Sequence, residues 1–154
     1  MVIEVNAVNP EYDADYLLLI SSSRYDYSQS VYPELFDKQK KILLSNIVTD
    51  RKENDIVINF NRVVKRGWVY FDNAVINCLR LLNIVHAKNV AIAGFDEFKA
   101  HYNETYADTS LPSVNPEGDW EKLNAEILDM FLDFKKTAGD SMNIEFITET
   151  AYDV

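Results

Sequence analysis

The residues with the most chemistry to offer fall in short polar clusters, each just after an apolar run. Asn6 follows Val2-Ile3-Glu4-Val5, and Ser21-Ser22-Ser23-Arg24 follows Tyr16-Leu17-Leu18-Leu19-Ile20. Ser45-Asn46 follows Ile42-Leu43-Leu44, and Asp96 follows Val90-Ala91-Ile92-Ala93 and Gly94-Phe95. Three hydroxyls beside a guanidinium suit a phosphate or carboxylate, because arginine can pair bidentately with either. The cluster lacks the glycine pattern of a phosphate loop, and Arg24 also has the ordinary reading of a surface residue. Asp96 could accept from a ribose or sugar hydroxyl, or cap the turn in which it stands. Asp72 and Asn73 could line the same cleft, although capping of the helix that follows accounts for them on its own. His101 could serve as acid or base near neutrality; its plainer reading is an exposed loop histidine.

Other groups have a bland reading beside a functional one. Arg62, Lys65 and Arg66 are the one basic patch, either a solvated face or a landing place for an anionic ligand or partner. Trp68 and Tyr70 could stack on a ring or simply pack. Cys78 lies on an apolar helical face with no base placed beside it, so it reads as core rather than nucleophile. His86 sits where a helix ends and reads as structural.

The element that must position much of this runs from Phe71 to Phe98. Ala74, Val75, Cys78, Leu79, Leu82 and Val85 have the spacing of one buried helical face, with Asp72 or Asn73 as N-cap. Asn83 and His86-Ala87-Lys88 suit its end. Val90 to Ala93 is an unbroken small apolar run, which reads as a strand covered on both faces. Gly94 lets the backbone turn. Asp96 then stands past the strand's carboxyl end, where open α/β sheets bind ligands.

The remaining elements read in order. Val2 to Val5 is a strand, and residues 6–13 form a loop fixed by Pro10. Tyr16 to Ile20 is a second strand. Pro33 opens a short helix to Gln39. Ile42 to Leu44 and Ile56 to Phe60 are further strands, separated by a charged turn at residues 50–54. Residues 99–118, with Pro112 and Pro116, read as a long loop of the kind that is often functional. Asp119 caps a long helix from Trp120 to about Lys136, with Leu123, Ile127, Leu128, Phe131 and Phe134 or Leu132 on its apolar face. Asn143 to Ile147 is the last strand.

Composition bounds the answer. The chain has 154 residues, 47% of them hydrophobic, enough for one globular domain with a real core. No apolar run approaches the roughly 20 residues of a membrane helix, and no basic segment precedes an apolar stretch as in a signal peptide. The formal net charge of −10 argues against a phosphate-backbone binder, so no nucleic-acid partner is expected. Two histidines and one cysteine make no zinc-type cluster, and no metal or cofactor is expected. Carboxylate-only Mg²⁺ binding stays open. The lone cysteine points to a reducing cytoplasm. A strand that begins almost at Met1 reads as the start of a domain excised from a longer protein, with a short N-terminal strand as the plainer reading.

One ordered set of residues carries a resemblance. Asn9-Pro10-Glu11, Asp15-Tyr16, Ser23-Arg24-Tyr25, Leu44-Ser45-Asn46-Ile47, Asp72-Asn73, Gly94-Phe95-Asp96 and the closing Phe146-Ile147-Thr148 with Tyr152 span nearly the whole chain. Together they resemble the C-terminal accessory domain of bacterial aldolase homologues whose barrel is of the HMG-CoA lyase / 4-hydroxy-2-oxovalerate aldolase type. More distantly, the helix–strand–Gly-x-Asp unit is similar to one in bacterial sialyltransferases and related surface-glycan enzymes, which bind a nucleotide-sugar on a Rossmann-like sheet. This chain departs from them: Asp72-Asn73-Ala74 stands where they place a Ser-Gly pair, and His101 lacks the context of their catalytic histidine. The aldolase metal motifs belong to the barrel.

Strands alternating with helices predict a three-layer αβα sandwich, Rossmann-like, with a mainly parallel sheet of about five or six strands. The resemblance implies an accessory ligand-binding or interaction domain, partnered by an aldolase-like barrel in sugar-acid or surface-polysaccharide metabolism. The expected ligand is a nucleotide, nucleotide-sugar or sugar acid, held near Asn6, Ser21, Arg24, Asn46, Asp72, Asn73 and Asp96. Two alternatives stand beside it: a small glycosyl- or phosphate-transfer enzyme using the same cleft, and a structural oligomerisation module.

Overall fold

The computed structural model describes residues 1–47, 49, 52–98, 110–111 and 119–154. The chain divides into two compact units, one of residues 1–64 and 110–112, the other of residues 65–109 and 113–154. Both mix helices with parallel strands.

The first unit is built on a four-stranded sheet in the order β1 (Ile3–Val5), β2 (Tyr16–Leu19), β3 (Lys40–Leu44), β4 (Ile56–Ile58), every pair parallel. Glu4 lies opposite Leu17, Leu17 opposite Lys41, and Leu43 opposite Val57. Parallel strands need a crossover. Residues 6–15 make the first one without a helix, held down by buried Val8 and Ala14. The second carries α1 (Ser22–Val31) and α2 (Pro33–Lys38). Pro33 lacks an N–H and restricts Tyr32 before it, so α1 stops at Val31 and Pro33 opens α2 instead. Leu17, Leu19 and Leu43 share one face of the sheet and pack with Val8, Tyr25, Phe36 and Ile47. The Tyr25 and Phe36 rings meet edge to face, 4.9 Å apart. A four-residue helix, α3 (Phe60–Val63), follows β4.

The second unit holds α4 (Ala74–Ile84), β5 (Asn89–Ile92), α5 (Trp120–Ala138) and β6 (Asn143–Phe146). β5 and β6 form a two-stranded parallel sheet, with Val90 opposite Ile144 and Ile92 opposite Phe146. A pair of strands is marginal unless a helix packs on it. Here α4 supplies Ile76 and Leu79 to the core, and α5 supplies Leu123, Ile127, Met130, Phe131 and Phe134. Phe95 sits among rings, with centroids 5.6 Å from Phe131, 6.0 Å from Phe146 and 5.0 Å from Tyr152. Gly139, at φ 53°, ends α5 in a conformation that favours glycine.

Four local expectations need correction. The strands do not form one sheet: the six among the described residues fall into sheets of four and two. Ser22, Ser23 and Arg24, expected as a polar cluster ending the second strand, form the first turn of α1. The strand begun at Ile56 stops at Ile58, because the Asn59 side chain accepts from Asn61 N and starts α3. Finally, β5 is covered on one face, not both: Ile92 is buried, while Asn89 and Ala91 are exposed. Alanine tolerates either environment, so a small apolar run does not report how many faces are covered. Residues 99–109 and 112–118 of the expected long loop lie outside the described residues.

Candidate functional site

Because β1 to β4 are parallel, their carboxyl ends share an edge. Asn6, Ser21, Ser45-Asn46 and Asn59 follow one another along it. Asn6 adopts φ 69°, a left-handed turn that asparagine tolerates. Its N–H donates to Leu18 O at 2.7 Å, and its Oδ1 is buried with no hydrogen-bond partner among the described residues. Ser21 Oγ accepts from Arg24 N at 3.4 Å, which makes it the N-cap of α1, and lies 3.3 Å from Ser23 Oγ. Asn46 Nδ2 donates to Ile20 O at 3.0 Å, tying the end of β3 to the end of β2. Ser45 Oγ accepts from Phe60 N at 3.0 Å. Most of this edge is therefore knitted to its own backbone.

What the edge retains is the start of α1. The N–H groups of Ser22 and Ser23 have no acceptor within their own helix. The first turn carries no acidic residue, so the positive end of the helix dipole is not offset there. Arg24 lies on that turn and is 4% exposed, far more enclosed than a surface arginine. One turn on, Ser28 is buried on the same side, its Oγ without a partner among the described residues. The strand order runs consecutively, with no reversal to make the crevice in which doubly wound sheets bind ligands.

A buried ion pair lies toward the other end of the same sheet. Lys41 opens the buried part of β3, and its side chain is 1% exposed, that of Asp55 2%. Lys41 Nζ donates to Phe36 O at 2.8 Å and Gln39 O at 3.0 Å, and stands 3.8 Å from Asp55 Oδ1. It also lies 4.5 Å from the centre of the Phe36 ring. Burial pushes the ammonium below its ordinary range, and the Asp55 carboxylate opposes that shift. With all of these acceptors engaged, Lys41 is a structural cation. Nothing in the Lys40-Lys41 pair singles it out, but two-residue alternation with Leu43 would have turned it inward.

Asp72, Asn73 and Asp96 belong to the second unit, so they are not part of this edge. Asp72 is exposed. Asn73 Oδ1 accepts from Ile76 N at 3.1 Å and caps α4. Asp96 Oδ1 accepts from Glu97 N and Ala151 N, both at 2.8 Å. Gly94 N donates to Thr148 Oγ1 at 2.9 Å. Tyr152 OH donates to Asn124 Oδ1 at 3.2 Å, and burial raises that phenol far above its usual value. The carboxyl end of β5 is thus clasped by the segment after β6.

Of the basic patch, Lys65 pairs with both oxygens of Asp133 at 2.7 and 2.8 Å, and Arg66 lies 5.8 Å from the Phe71 ring. Trp68 Nε1 donates to Asp129 at 2.7 Å and Tyr70 N to Glu126 at 2.8 Å. Glu126, Asp129 and Asp133 thereby hold residues 65–70 along α5. Cys78 is buried, which pushes its thiol up to about 11. His101 lies outside the described residues. Among those described, no three histidine, cysteine or acidic side chains gather as a metal site, and no helix is long and apolar enough to cross a membrane. Comparison with protein-family models, with curated proteins and with solved structures found no match.

Proposed function

We propose that this chain is an accessory ligand-binding module and that its ligand is an anion held at the start of α1. The supporting observation is the α1 N-terminus itself, which opens at the carboxyl edge of the sheet with Arg24 enclosed on its first turn and Asn6 and Asn46 on the flanking strand ends. Helix N-termini of this kind attract phosphates and carboxylates. A nucleotide, nucleotide-sugar or sugar acid has the right charge and enough hydroxyls for the neighbouring asparagines. In this reading the larger architecture is Rossmann-like, and the module serves an aldolase-like barrel in sugar-acid or surface-polysaccharide metabolism.

The test is a thermal-shift screen of the chain with nucleotides, nucleotide-sugars and sugar acids, with and without Mg²⁺. A ligand at ~100 times its Kd stabilises the fold by about 2.7 kcal/mol. Ser22→Glu is the matching variant: a carboxylate suits a helix N-terminus, so the fold stays intact while an anionic ligand is repelled. A hit abolished by Ser22→Glu supports the reading. A blank screen, or a hit indifferent to the variant, overturns it.

A further inference from the structure

Glu4 and Gln39 meet across β2. Glu4 is the middle residue of β1, opposite Leu17, which is opposite Lys41. Gln39 is extended and stands two residues before Lys41, so alternation turns it to the same face. Gln39 Nε2 donates to Glu4 Oε2 at 2.7 Å. The other two oxygens, Glu4 Oε1 and Gln39 Oε1, are both buried, and neither has a hydrogen-bond partner among the described residues.

That leftover pair is the wrong count for a carboxylate. An ionised glutamate and an amide oxygen are both acceptors only, and burying them unpaired is costly. It is the right count for a carboxylic acid. The acid O–H is the missing donor, and the amide oxygen is the missing acceptor. A protonated carboxyl and a primary amide then close a ring, each donating to the other. We propose that Glu4 is carried in the fold as the acid, Oε1–H donating to Gln39 Oε1, so that the pair is a proton-dependent latch from β1 to the start of β3.

The surroundings agree. Burial raises the Glu4 carboxyl above its ordinary value; the Gln39 and Asn9 N–H groups oppose this, and the Asp13 carboxylate adds to it. No described cation pairs with Glu4. Lys38 is engaged with Asp13 at 3.3 Å, and Lys41, on the same sheet face, is engaged with Phe36 O, Gln39 O and Asp55. Because the folded value is the raised one, the stability the latch contributes is complete at low pH and is lost as pH rises through that value.

The experiment is a carboxyl ¹³C NMR titration of the whole chain, with the Glu4 resonance assigned by its absence from Glu4→Gln, and thermal unfolding of both proteins over the same pH range. The expected result is an acid-form Glu4 signal that persists above the ordinary glutamate range. Wild-type stability then falls as that signal converts, while Glu4→Gln, which keeps a donor on that side, lacks that fall. A Glu4 carboxyl that titrates within the ordinary glutamate range overturns the proposal, as does an identical pH slope for the two proteins.

Discussion

The first unit buries charged side chains beside its apolar core, whereas the second builds its core on aromatic rings, with Asn77 its buried polar side chain among the described residues, and holds its acids at the margin. In the first, Arg24, Ser28 and Lys41 are buried, and Glu4, Asn6, Ser28 and Gln39 keep buried polar atoms with no described partner. In the second, Phe95, Phe131, Phe146 and Tyr152 interlock, while Glu126, Asp129, Asp133 and Asp96 each accept from a named N–H or ammonium group. A polar core adds little net stability, because desolvation offsets what pairing returns. An aromatic core adds much through area and packing.

The comparison can be broken most directly at Phe131. It is fully buried, and Phe131→Ala should cost about 3–5 kcal/mol in urea unfolding; a cost under about 1 kcal/mol would mean that the aromatic core is not what holds the second unit. In the first unit, Asp55→Ala should cost about 3–5 kcal/mol, because it strands the Lys41 charge in a dry site. Adding Lys41→Met should recover most of that loss, and a double variant no better than the single one would show that the charge is not the problem. Asp96 distinguishes a clasp from a ligand contact. Asp96→Ala removes the acceptor for two N–H groups and should cost about 1 kcal/mol, whereas Asp96→Asn keeps an acceptor oxygen and should unfold near wild type. The smallest effect is expected at Cys78: with its thiol pushed up to about 11 by burial, it should stay silent to Ellman's reagent at neutral pH until the chain unfolds. Prompt labelling would contradict the burial of that face of α4.

Elements with strong periodicity were legible before the structure. The Asp119 cap and apolar stripe of α5 and the apolar runs of β2 and β3 report their own burial; the face expected for α4 is right at Cys78 and Leu79, but Ile76 and Leu81 are buried in its place and Val85, past the helix end, is exposed. Helix α1 was not legible, because its buried positions are Arg24, Tyr25 and Ser28 and no apolar stripe exists to read. The division into two sheets was not legible either, since a strand's residues report which face is covered but not which strand lies alongside. The candidate site was half legible. Asn6, Ser21 and Asn46 do stand on one parallel edge, as the polar ends of their strands implied. Asp72, Asn73 and Asp96 have the same local pattern, yet they belong to the second unit, where Asn73 and Asp96 cap a helix and a turn. Residue type and strand end are local facts, while membership of a shared edge depends on topology.

The strand pairings also set an order of events for a chain emerging from the ribosome. β1 to β4 lie within residues 3–58, so the whole four-stranded sheet can assemble from a nascent chain while α5 is still unmade. β5 must wait for β6, because its ladder partners Asn143 to Phe146 come after the nineteen residues of α5. During that interval a finished sheet coexists with an orphan strand whose edge is open to other chains, the kind of exposure that draws chaperones or aggregation. Residues 93–142 are the stretch of chain that must be made before β5 can gain its ladder partner.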